Sequence, residues 1–356
     1  MISINMMSKA DIVKGHGVLS AHDEQVELVK MASSHFEVTE NKWKTHDITH
    51  FHTINLEYFF INLFAKANGV TVGSVHFLPE TVENSIKLPG IAKKVFYHYL
   101  IQFYKNMDYL VTVNPYFIDV LESYGIPKEK VSYIPNVVSK ERFFPFSKTE
   151  KEKARQYFGM KEDKFTVLCV GQLQTRKGVL DYIEIARQMP EMEFVWAGDF
   201  TFKKISEGYS VIKEAMKDIP PNLTFTGLIA REDMNALYNS ADVMFLPSYE
   251  ELLPMSLLEA MNCHIPILVR DLPEYEKVVS DFAVMEVSNA GFMKCLKMLQ
   301  NNPDFYEKVT SRAKAGSEEY SAEHIAELWE SFYKTVALHS RALKKKEVIH
   351  GEKRNI

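Results

Sequence analysis

The fold is decided by the stretch Pro247-Ser248-Tyr249-Glu250-Glu251-Leu252-Leu253-Pro254-Met255-Ser256-Leu257-Leu258-Glu259-Ala260-Met261. It predicts the end of a buried strand, a short acidic loop and a helix that begins near Pro254, because proline suits a first helical position. Leu253 has no side-chain oxygen that could cap this helix. The first amides of the helix are therefore left to bind an anion, which the helix dipole also favours.

Two carboxylates, Glu251 and Glu259, flank the predicted helix start and are eight residues apart. On one continuous helix they would lie about 12 Å apart along the axis, which is too far for a two-carboxylate acid–base pair. Across a loop-to-helix turn they can instead hold the two ends of one elongated anionic ligand. The other interpretation is a surface loop followed by an amphipathic helix.

Length and composition limit the class of protein. A chain of 356 residues favours two domains over one core. Its three cysteines form no CxxC pair, which fits a reducing cytoplasm and argues against disulfide or zinc frameworks. The net charge of −5 gives no reason to expect nucleic acid as a partner. We find neither a signal-peptide layout nor an apolar run of membrane-spanning length.

Strands and helices alternate along the chain in two successive series. Apolar runs at residues 2–7, 47–53, 70–76, 109–113 and 131–134 predict strands of a first half, and runs at 165–171, 193–199, 223–227, 243–246 and 266–269 predict those of a second. The pattern predicts an α/β protein with two Rossmann-like, doubly wound domains facing a cleft. We place the boundary at residue 146, within a charged passage broken by proline, so that residues 1–146 and 147–320 form the two domains. Residues 321–356 form a C-terminal helix, which can cross back to the first domain, and a basic tail.

Glycines and histidines of the first half lie where strands are predicted to end. Gly15 and Gly17 form a turn between the first strand and a helix, a layout that lets backbone amides approach a phosphate. His52 and His76 end two strands, and open α/β sheets bind ligands at that edge. We therefore expect site roles for these two histidines and a structural role for His50. A plain strand-to-helix turn is the alternative for the glycines.

The second half begins with a basic turn. Gly171 ends its first predicted strand, and Arg176 and Lys177 precede the next helix. Two adjacent cations at the carboxyl end of a strand suit a diphosphate, because arginine can bind it through two donors. An exposed basic turn is the other interpretation.

An aromatic, apolar helix is predicted at residues 87–105. It carries Lys93, Lys94, Phe96 and Tyr97 near its start. A helix of this type can lie in a lipid interface, and the basic tail would favour an anionic membrane surface. A helix buried in the core is the alternative.

Taken together, these motifs resemble the GT-B-fold retaining glycosyltransferases of family 4 over nearly the whole chain. The matching segments are residues 15–17, 47–52, 134–136, 170–178, 241–243 and the Glu-x7-Glu of Glu251 and Glu259. The resemblance implies that Glu259 binds the nucleotide ribose, that Glu251 contacts the donor sugar and that His76 lies beside the transferred sugar. The implied catalytic residues are His76, Glu251, Arg176 and Lys177, and the implied donor-binding residues are Gly15, Gly17, Gly171, Arg176, Lys177, Leu253, Met255 and Glu259. His52, Lys93, Lys94, Phe96 and Tyr97 are expected on the acceptor or membrane side.

Two departures from the family pattern point to one branch. Gln172 stands where many members have arginine, and Leu252-Leu253-Pro254 replaces the usual Gly-Phe-Gly. With residues 76–81, these variants resemble the Gram-positive branch that builds diglycosyldiacylglycerol. The resemblance implies a UDP-glucose- or UDP-galactose-dependent hexosyltransferase that acts on monoglucosyldiacylglycerol at the inner face of the cell membrane, as a peripheral cytoplasmic protein.

We expect neither a cofactor nor a metal, since the chain contains no Asp-x-Asp. The resemblance also implies that the leaving phosphate accepts the proton of the acceptor. Glu251→Ala and Lys177→Ala should each reduce turnover severely while leaving the fold intact. The alternatives are a family-4 transferase with a soluble or polysaccharide acceptor, and a catalytically dead nucleotide-sugar-binding protein.

Overall fold

Two parallel sheets organise the chain. The computed structural model describes residues 1–10, 17–32, 34–76, 78–79, 90–200 and 208–352. Within these residues the strands form two separate sheets of six strands each. Central strands such as Val70–Val75 and Val243–Leu246 are buried along their whole length, because helices cover both faces of a parallel sheet.

The first sheet has the strand order β2-β1-β3-β4-β5-β6. Its strands are β1 (Ile2–Met7), β2 (Phe36–Glu40), β3 (Ile48–Phe51), β4 (Val70–Val75), β5 (Tyr109–Thr112) and β6 (Val131–Tyr133). The helices between them are α1 (Gly17–Ala32), α2 (Leu56–Asn68), α3 (Gly90–Lys105) and α4 (Tyr116–Ser123).

The second sheet has the order β9-β8-β7-β10-β11-β12, the arrangement of a dinucleotide-binding fold. Its strands are β7 (Thr166–Val170), β8 (Glu193–Ala197), β9 (Leu223–Gly227), β10 (Val243–Leu246), β11 (Ile267–Arg270) and β12 (Val284–Glu286). The helices of this half are α5 (Lys148–Tyr157), α6 (Val179–Gln188), α7 (Tyr209–Ala215), α8 (Met234–Ser240), α9 (Met255–Asn262), α10 (Asn289–Asn301) and α11 (Pro303–Glu319), and the chain ends in α12 (Ala322–Glu352).

The loops that follow β5 and β6 contact the loops that follow β10 and β11. The carboxyl ends of the two sheets therefore face one cleft, and the predicted fold class is confirmed. The sequence analysis missed the edge strands β2 and β12, which are short and only partly buried. Pro254 is also corrected: it is the N-cap of α9, with extended backbone (φ −68°, ψ 136°), and not its first helical residue.

The last helix returns to the first sheet. Ile325, Trp329 and Tyr333 of α12 are buried in the same core as Ile4 and Val72 of the first sheet. Side chains beyond residue 339, and with them the basic tail, lie outside those described. We propose that the two sheets mark two domains divided near residue 146, because the last strand of the first sheet ends at residue 133 and the first strand of the second begins at residue 166.

Candidate active site

A buried ion pair lies at the carboxyl edge of the second sheet. Lys177 ends a short helical turn after β7, and its ammonium donates a hydrogen bond to Glu251 in the loop after β10. The two side chains are only 11% and 6% exposed. Burial lowers the pKa of Lys177, and the carboxylate of Glu251 opposes that shift. An ammonium has three N–H donors, so this pair can hold an anion between the two loops.

Gly178 makes the close approach of these loops possible. Its φ of +73° lies in the left-handed region, and a Cβ there would lie 2.4 Å from the carbonyl oxygen of Pro247. Gly171 lies beside the pair, since its own Cβ would be 3.9 Å from the side chain of Lys177. Gly178 thus lets the two loops approach each other beside the lysine.

Arg176 is anchored to the same acidic loop. Its Nη1 donates to the carbonyl oxygen of Glu250 at 3.2 Å, and its own carbonyl accepts from the amide of Tyr249 at 2.7 Å. Its Nε is buried without a hydrogen-bond partner among the described residues. A buried donor of this kind can bind an anion's oxygen, which agrees with the diphosphate role predicted for Arg176.

The start of α9 offers further donors. Its N-cap, Pro254, makes no side-chain capping bond, so the amides of Met255 and Ser256 have neither a helical nor a side-chain cap. Leu253 and Met255 are themselves buried, at 1% and 7% exposure. They can therefore contribute to a donor site through their backbone rather than their side chains.

Glu259 lies one turn further into the helix and is 3% exposed. Its Oε2 accepts a hydrogen bond of 2.6 Å from the hydroxyl of Tyr238, and its Oε1 pairs with Arg231. Glu251 and Glu259 therefore have separate cationic partners. This arrangement fits two separate anchoring points and does not fit an acid–base pair. The sequence analysis missed Arg231, because no motif distinguishes it from other charges at a helix start.

Four histidines meet at the edge of the first sheet. The ring centroid of His52 lies 4.2 Å from that of His50, 4.5 Å from that of His22 and 6.5 Å from that of His76. His50 is held by Tyr333 at 2.7 Å and Ser74 at 2.9 Å, which fits its predicted structural role. Burial lowers the pKa of both His50 and His52 well below the ordinary value, so both rings are neutral.

His52 and His76 differ in depth. His52 is 1% exposed, so its ring is packed inside the edge, and its role on the acceptor side stays a prediction. His76 follows β4, is half-buried and lines a small cavity together with Asn136. Its role beside a transferred sugar stays a prediction.

The remaining predicted residues belong to the first half of the chain. Gly17 is the first residue of α1, and Gly15 lies outside the described residues. Lys94 is exposed on α3, whereas Lys93, Phe96 and Tyr97 are half-buried. The ammonium of Lys93 lies 5.9 Å from the centre of the Tyr97 ring.

Among the segments that the structure describes, no group of three or more His, Cys, Asp or Glu side chains could hold a metal ion. No helix in the same segments has both the length and the hydrophobicity needed to cross a bilayer.

Two family models match the chain. Residues 35–142 match Glycosyltransferase Family 4, and residues 150–315 match Glycosyl transferases group 1. The alpha-galactosylglucosyldiacylglycerol synthase of Streptococcus pneumoniae is 40% identical over 94% of this chain and 90% of its own length. The processive diacylglycerol alpha-glucosyltransferase of Acholeplasma laidlawii is 26% identical over 75% of this chain and 78% of its own.

Solved structures give the same fold at much lower identity. HepE of Anabaena in complex with UDP-glucose has a TM-score of 0.75 at 14% identity and covers 94% of this chain and 100% of its own. The sucrose-phosphate synthase of Thermosynechococcus elongatus has a TM-score of 0.76 at 14% identity, over 96% of this chain and 100% of its own. At this identity the likeness concerns the fold alone.

Proposed function

The chain belongs to the glycosyltransferases of family 4, and from this premise we propose that it moves a hexose from a UDP-sugar to a glycolipid. The acceptor is monoglucosyldiacylglycerol, and the product is an α-linked diglycosyldiacylglycerol. The observation that carries the proposal is the 40% identity, over 94% of the chain, to a synthase whose name describes such a product. That name favours galactose over glucose as the transferred sugar.

The second domain provides the groups that such a reaction needs. The bond between the sugar and UDP breaks, and negative charge develops on the diphosphate, where Lys177, Arg176 and the first amides of α9 supply N–H donors. Donors fixed in place before the reaction stabilise that charge without reorganising. The acceptor hydroxyl forms the new bond on the face that UDP leaves, so the α-configuration is retained. Its proton passes to a phosphate oxygen of the leaving UDP.

The carboxyl edge of the first sheet, which holds the buried, uncharged rings of His50 and His52, is called the neutral edge. It suits the sugar of an uncharged glycolipid. His76 lies half-buried at the end of β4, in a small cavity that Asn136 also lines. Its ring can contact the transferred hexose, while the buried rings of His50 and His52 support the edge from below.

The membrane-facing side is formed by the exposed faces of two neighbouring helices of the first domain. On α2 the exposed apolar side chains recur with helical spacing, at Leu56, Phe60, Leu63 and Phe64, with 67%, 71%, 59% and 59% exposure. On α3, Ile91 and Val95 are 83% and 64% exposed, beside the exposed Lys94. The two helices are neighbours, since the ring of Tyr99 on α3 lies 6.2 Å from that of Phe59 on α2, and the hydroxyl of Tyr99 donates to the carbonyl of Ile54, just before α2, at 2.8 Å. An apolar face with flanking lysines fits an anionic bilayer.

The function is tested by mass spectrometry of lipid products. The purified protein is incubated with UDP-glucose or UDP-galactose and with vesicles that contain diacylglycerol or monoglucosyldiacylglycerol, and the anomeric configuration is read by NMR. We expect one α-linked hexose on the glucosylated acceptor. The Glu251→Gln variant, which keeps the shape of the side chain, should make none. Consumption of UDP-sugar without a lipid product would contradict the proposed acceptor.

The membrane surface is tested by flotation with anionic and neutral vesicles. The Phe60→Ser/Phe64→Ser variant should lose binding to anionic vesicles. The matched Phe144→Ser variant removes an exposed aromatic of the interdomain segment and should bind like the parent protein. Parent protein that stays at the bottom of the gradient would favour a soluble or polysaccharide acceptor instead.

A further inference from the structure

Asn114 reaches from the first domain into the donor side of the cleft. It follows β5, is 0% exposed, and its Oδ1 accepts a 3.0 Å hydrogen bond from the amide of Tyr116 at the start of α4. This bond fixes which way the side-chain amide points. Its Nδ2 donates to the carbonyl oxygens of Leu252 and Glu274 in the second domain, at 2.8 Å each. Both N–H groups of the amide are thereby used across the cleft.

Asn136 makes the same kind of contact from the next strand. It lies three residues beyond the end of β6, and its Nδ2 donates to the carbonyl oxygen of Leu253 at 2.9 Å. Two consecutive carbonyls of one loop are thus held by two asparagines of the opposite domain. The side chain of Leu252 also packs against the hydrophobic cores of both domains.

The loop held in this way is the one on which the donor site depends. Glu251 immediately precedes the two leucines, and Pro254, the N-cap of α9, immediately follows them. The backbone positions of Leu252 and Leu253 therefore set where the carboxylate of Glu251 and the first amides of α9 point. The carbonyls of Leu252 and Leu253 can accept these bonds only when the two domains are in contact.

We propose that Asn114 and Asn136 are positioning residues that couple closure of the cleft to assembly of the donor site. When the domains meet, the asparagines fix the 251–254 loop by its carbonyls. When the domains separate, the loop loses two hydrogen bonds, the bond to Glu274 is lost as well, and the donor groups lose their alignment. This inference rests on the proposed function, because it takes the loop to bind the UDP-sugar.

The alternative is that the two asparagines only hold the domains together. A purely structural role would change stability alone, whereas a positioning role would also change the ordering of the 251–254 loop and kcat. Asn114→Asp keeps the acceptor for Tyr116 but places a carboxylate oxygen against two carbonyls. Asn222→Asp is the matched control, because Asn222 donates to the carbonyls of Ala186 and Met189 within the second domain, at 2.9 Å each. Asn136→Ala removes a single bond and serves as the milder variant.

Each full-length variant is measured in three ways: thermal unfolding, hydrogen exchange of the amides of residues 251–257, and kcat and KM for the UDP-sugar. We expect Asn114→Asp to speed exchange in this loop and to lower kcat by about 100-fold, as a misplaced site does. Asn136→Ala should lower kcat by about tenfold, the effect of one lost bond of about 1.4 kcal/mol. Asn222→Asp should lower the unfolding temperature but leave loop exchange and kcat unchanged.

Two outcomes would overturn the inference. In one, Asn114→Asp and Asn136→Ala change kcat and loop exchange no more than Asn222→Asp does. In the other, kcat falls while exchange in residues 251–257 stays at the parent rate. Failure of the proposed function is separate from both, because a parent protein that transfers no hexose would still reveal loop ordering through hydrogen exchange.

Discussion

The two edges of the cleft are built from opposite chemistry on similar scaffolds. Both are the carboxyl ends of six-stranded parallel sheets. The second sheet gathers ions there: Lys177 with Glu251, and Arg231 with Glu259. The first sheet gathers stacked imidazoles, and burial keeps the pKa of His50 and His52 well below the ordinary value. A charged edge suits a nucleoside diphosphate, and a neutral edge suits the uncharged sugar of an acceptor.

The difference also shows what each edge contributes to stability. Desolvating an ion pair costs free energy that only good partners offset, so the charged edge is retained for binding more than for folding. The neutral edge is part of a core, because Tyr333 of the last helix seals it. Changes at the charged edge that remove both partners of a pair and keep the volume should therefore act mainly on transfer, and changes at the neutral edge mainly on stability.

The largest effect is expected from removing Lys177 or Glu251. Each alanine variant should lower kcat by at least about 1000-fold, because the N–H donors at the leaving diphosphate are lost or misdirected. Each variant should also be less stable than the parent, whereas the sequence alone predicts an intact fold. Both side chains are buried, and truncating one partner of a buried pair costs about 3–5 kcal/mol.

A double variant separates these two effects. Lys177→Met/Glu251→Leu removes both charges and nearly keeps the volume, so its free energy of unfolding should approach that of the parent while transfer stays absent. Denaturant unfolding and single-turnover assays measure both quantities. A double variant that transfers hexose at a near-normal rate would remove the charged edge from the mechanism.

The next largest effect is on stability at acid pH and belongs to the neutral edge. The folded pKa of His50 and of His52 lies well below the unfolded value of about 6.5, so the unfolded chain binds more protons under acid conditions. Stability is therefore full above about pH 6.5 and decreases as the pH falls below it. At about pH 5.5 each ring can cost at most about 1.4 kcal/mol of the free energy of unfolding, the limit that the unfolded pKa of about 6.5 sets.

Urea unfolding between about pH 7.5 and 5.5 measures this slope. The His50→Gln/His52→Gln variant should lose most of the pH dependence, whereas the exposed His324→Gln should keep it. A parent protein whose stability is flat over that range would mean that the two rings are charged or accessible in the folded state.

A smaller loss is expected when the seal over the neutral edge is weakened. Tyr333→Phe removes the hydroxyl that pairs with His50 at 2.7 Å and accepts from Gln25 at 3.2 Å. Two buried polar groups would lose a partner, for about 2 kcal/mol of the free energy of unfolding. Because the change lies behind the edge, KM for the UDP-sugar should stay at the parent value. A raised KM would show that the two edges are not independent.

Much of this arrangement could be predicted from sequence, for physical reasons. Buried parallel strands are apolar runs bounded by glycine and proline, so β10 was predicted at its observed bounds, and the partly buried edge strand β9 was also predicted at its own. Glu251 and Glu259 lie at a loop-to-helix transition that one continuous stretch of sequence predicts. The pairing of Lys177 with Glu251 could not be predicted, because 74 residues separate them and the contact forms only when two loops meet in the folded chain.

The neutral edge was harder to predict than the charged one. Strand alternation places His50 and His52 on one side of a strand but gives no depth, and the last helix, some 280 residues later, packs against His50. Likewise, no local pattern identifies Asn114 as a residue that spans the cleft. Its Oδ1 accepts from the amide at the start of α4, as the side chain of many an asparagine before a helix does, and only its Nδ2 reaches the opposite loop. Depth and partnership are properties of the tertiary packing.

Arg231 tests the boundary between the edges, and the expected effect is the smallest. It pairs with Glu259 of α9, lies 3.5 Å from Glu24 of α1, and covers the ring of Phe143. A carboxylate can accept about four hydrogen bonds, so Glu259 held by Arg231 and Tyr238 keeps capacity for ribose hydroxyls. Arg231→Ala should therefore raise KM for the UDP-sugar about tenfold, worth about 1.4 kcal/mol of binding, with kcat nearly unchanged.

Arg142→Ala is the control, because Arg142 also pairs with Glu24, at 3.1 Å, and the described contacts of its guanidinium do not include Glu259. If Arg231 acts by orienting Glu259, only Arg231→Ala raises KM. An equal rise in both variants would assign the effect to Glu24 and to contact between the domains. The division of the cleft into a charged edge and a neutral edge would then have to include α1, which carries Glu24, on the charged side.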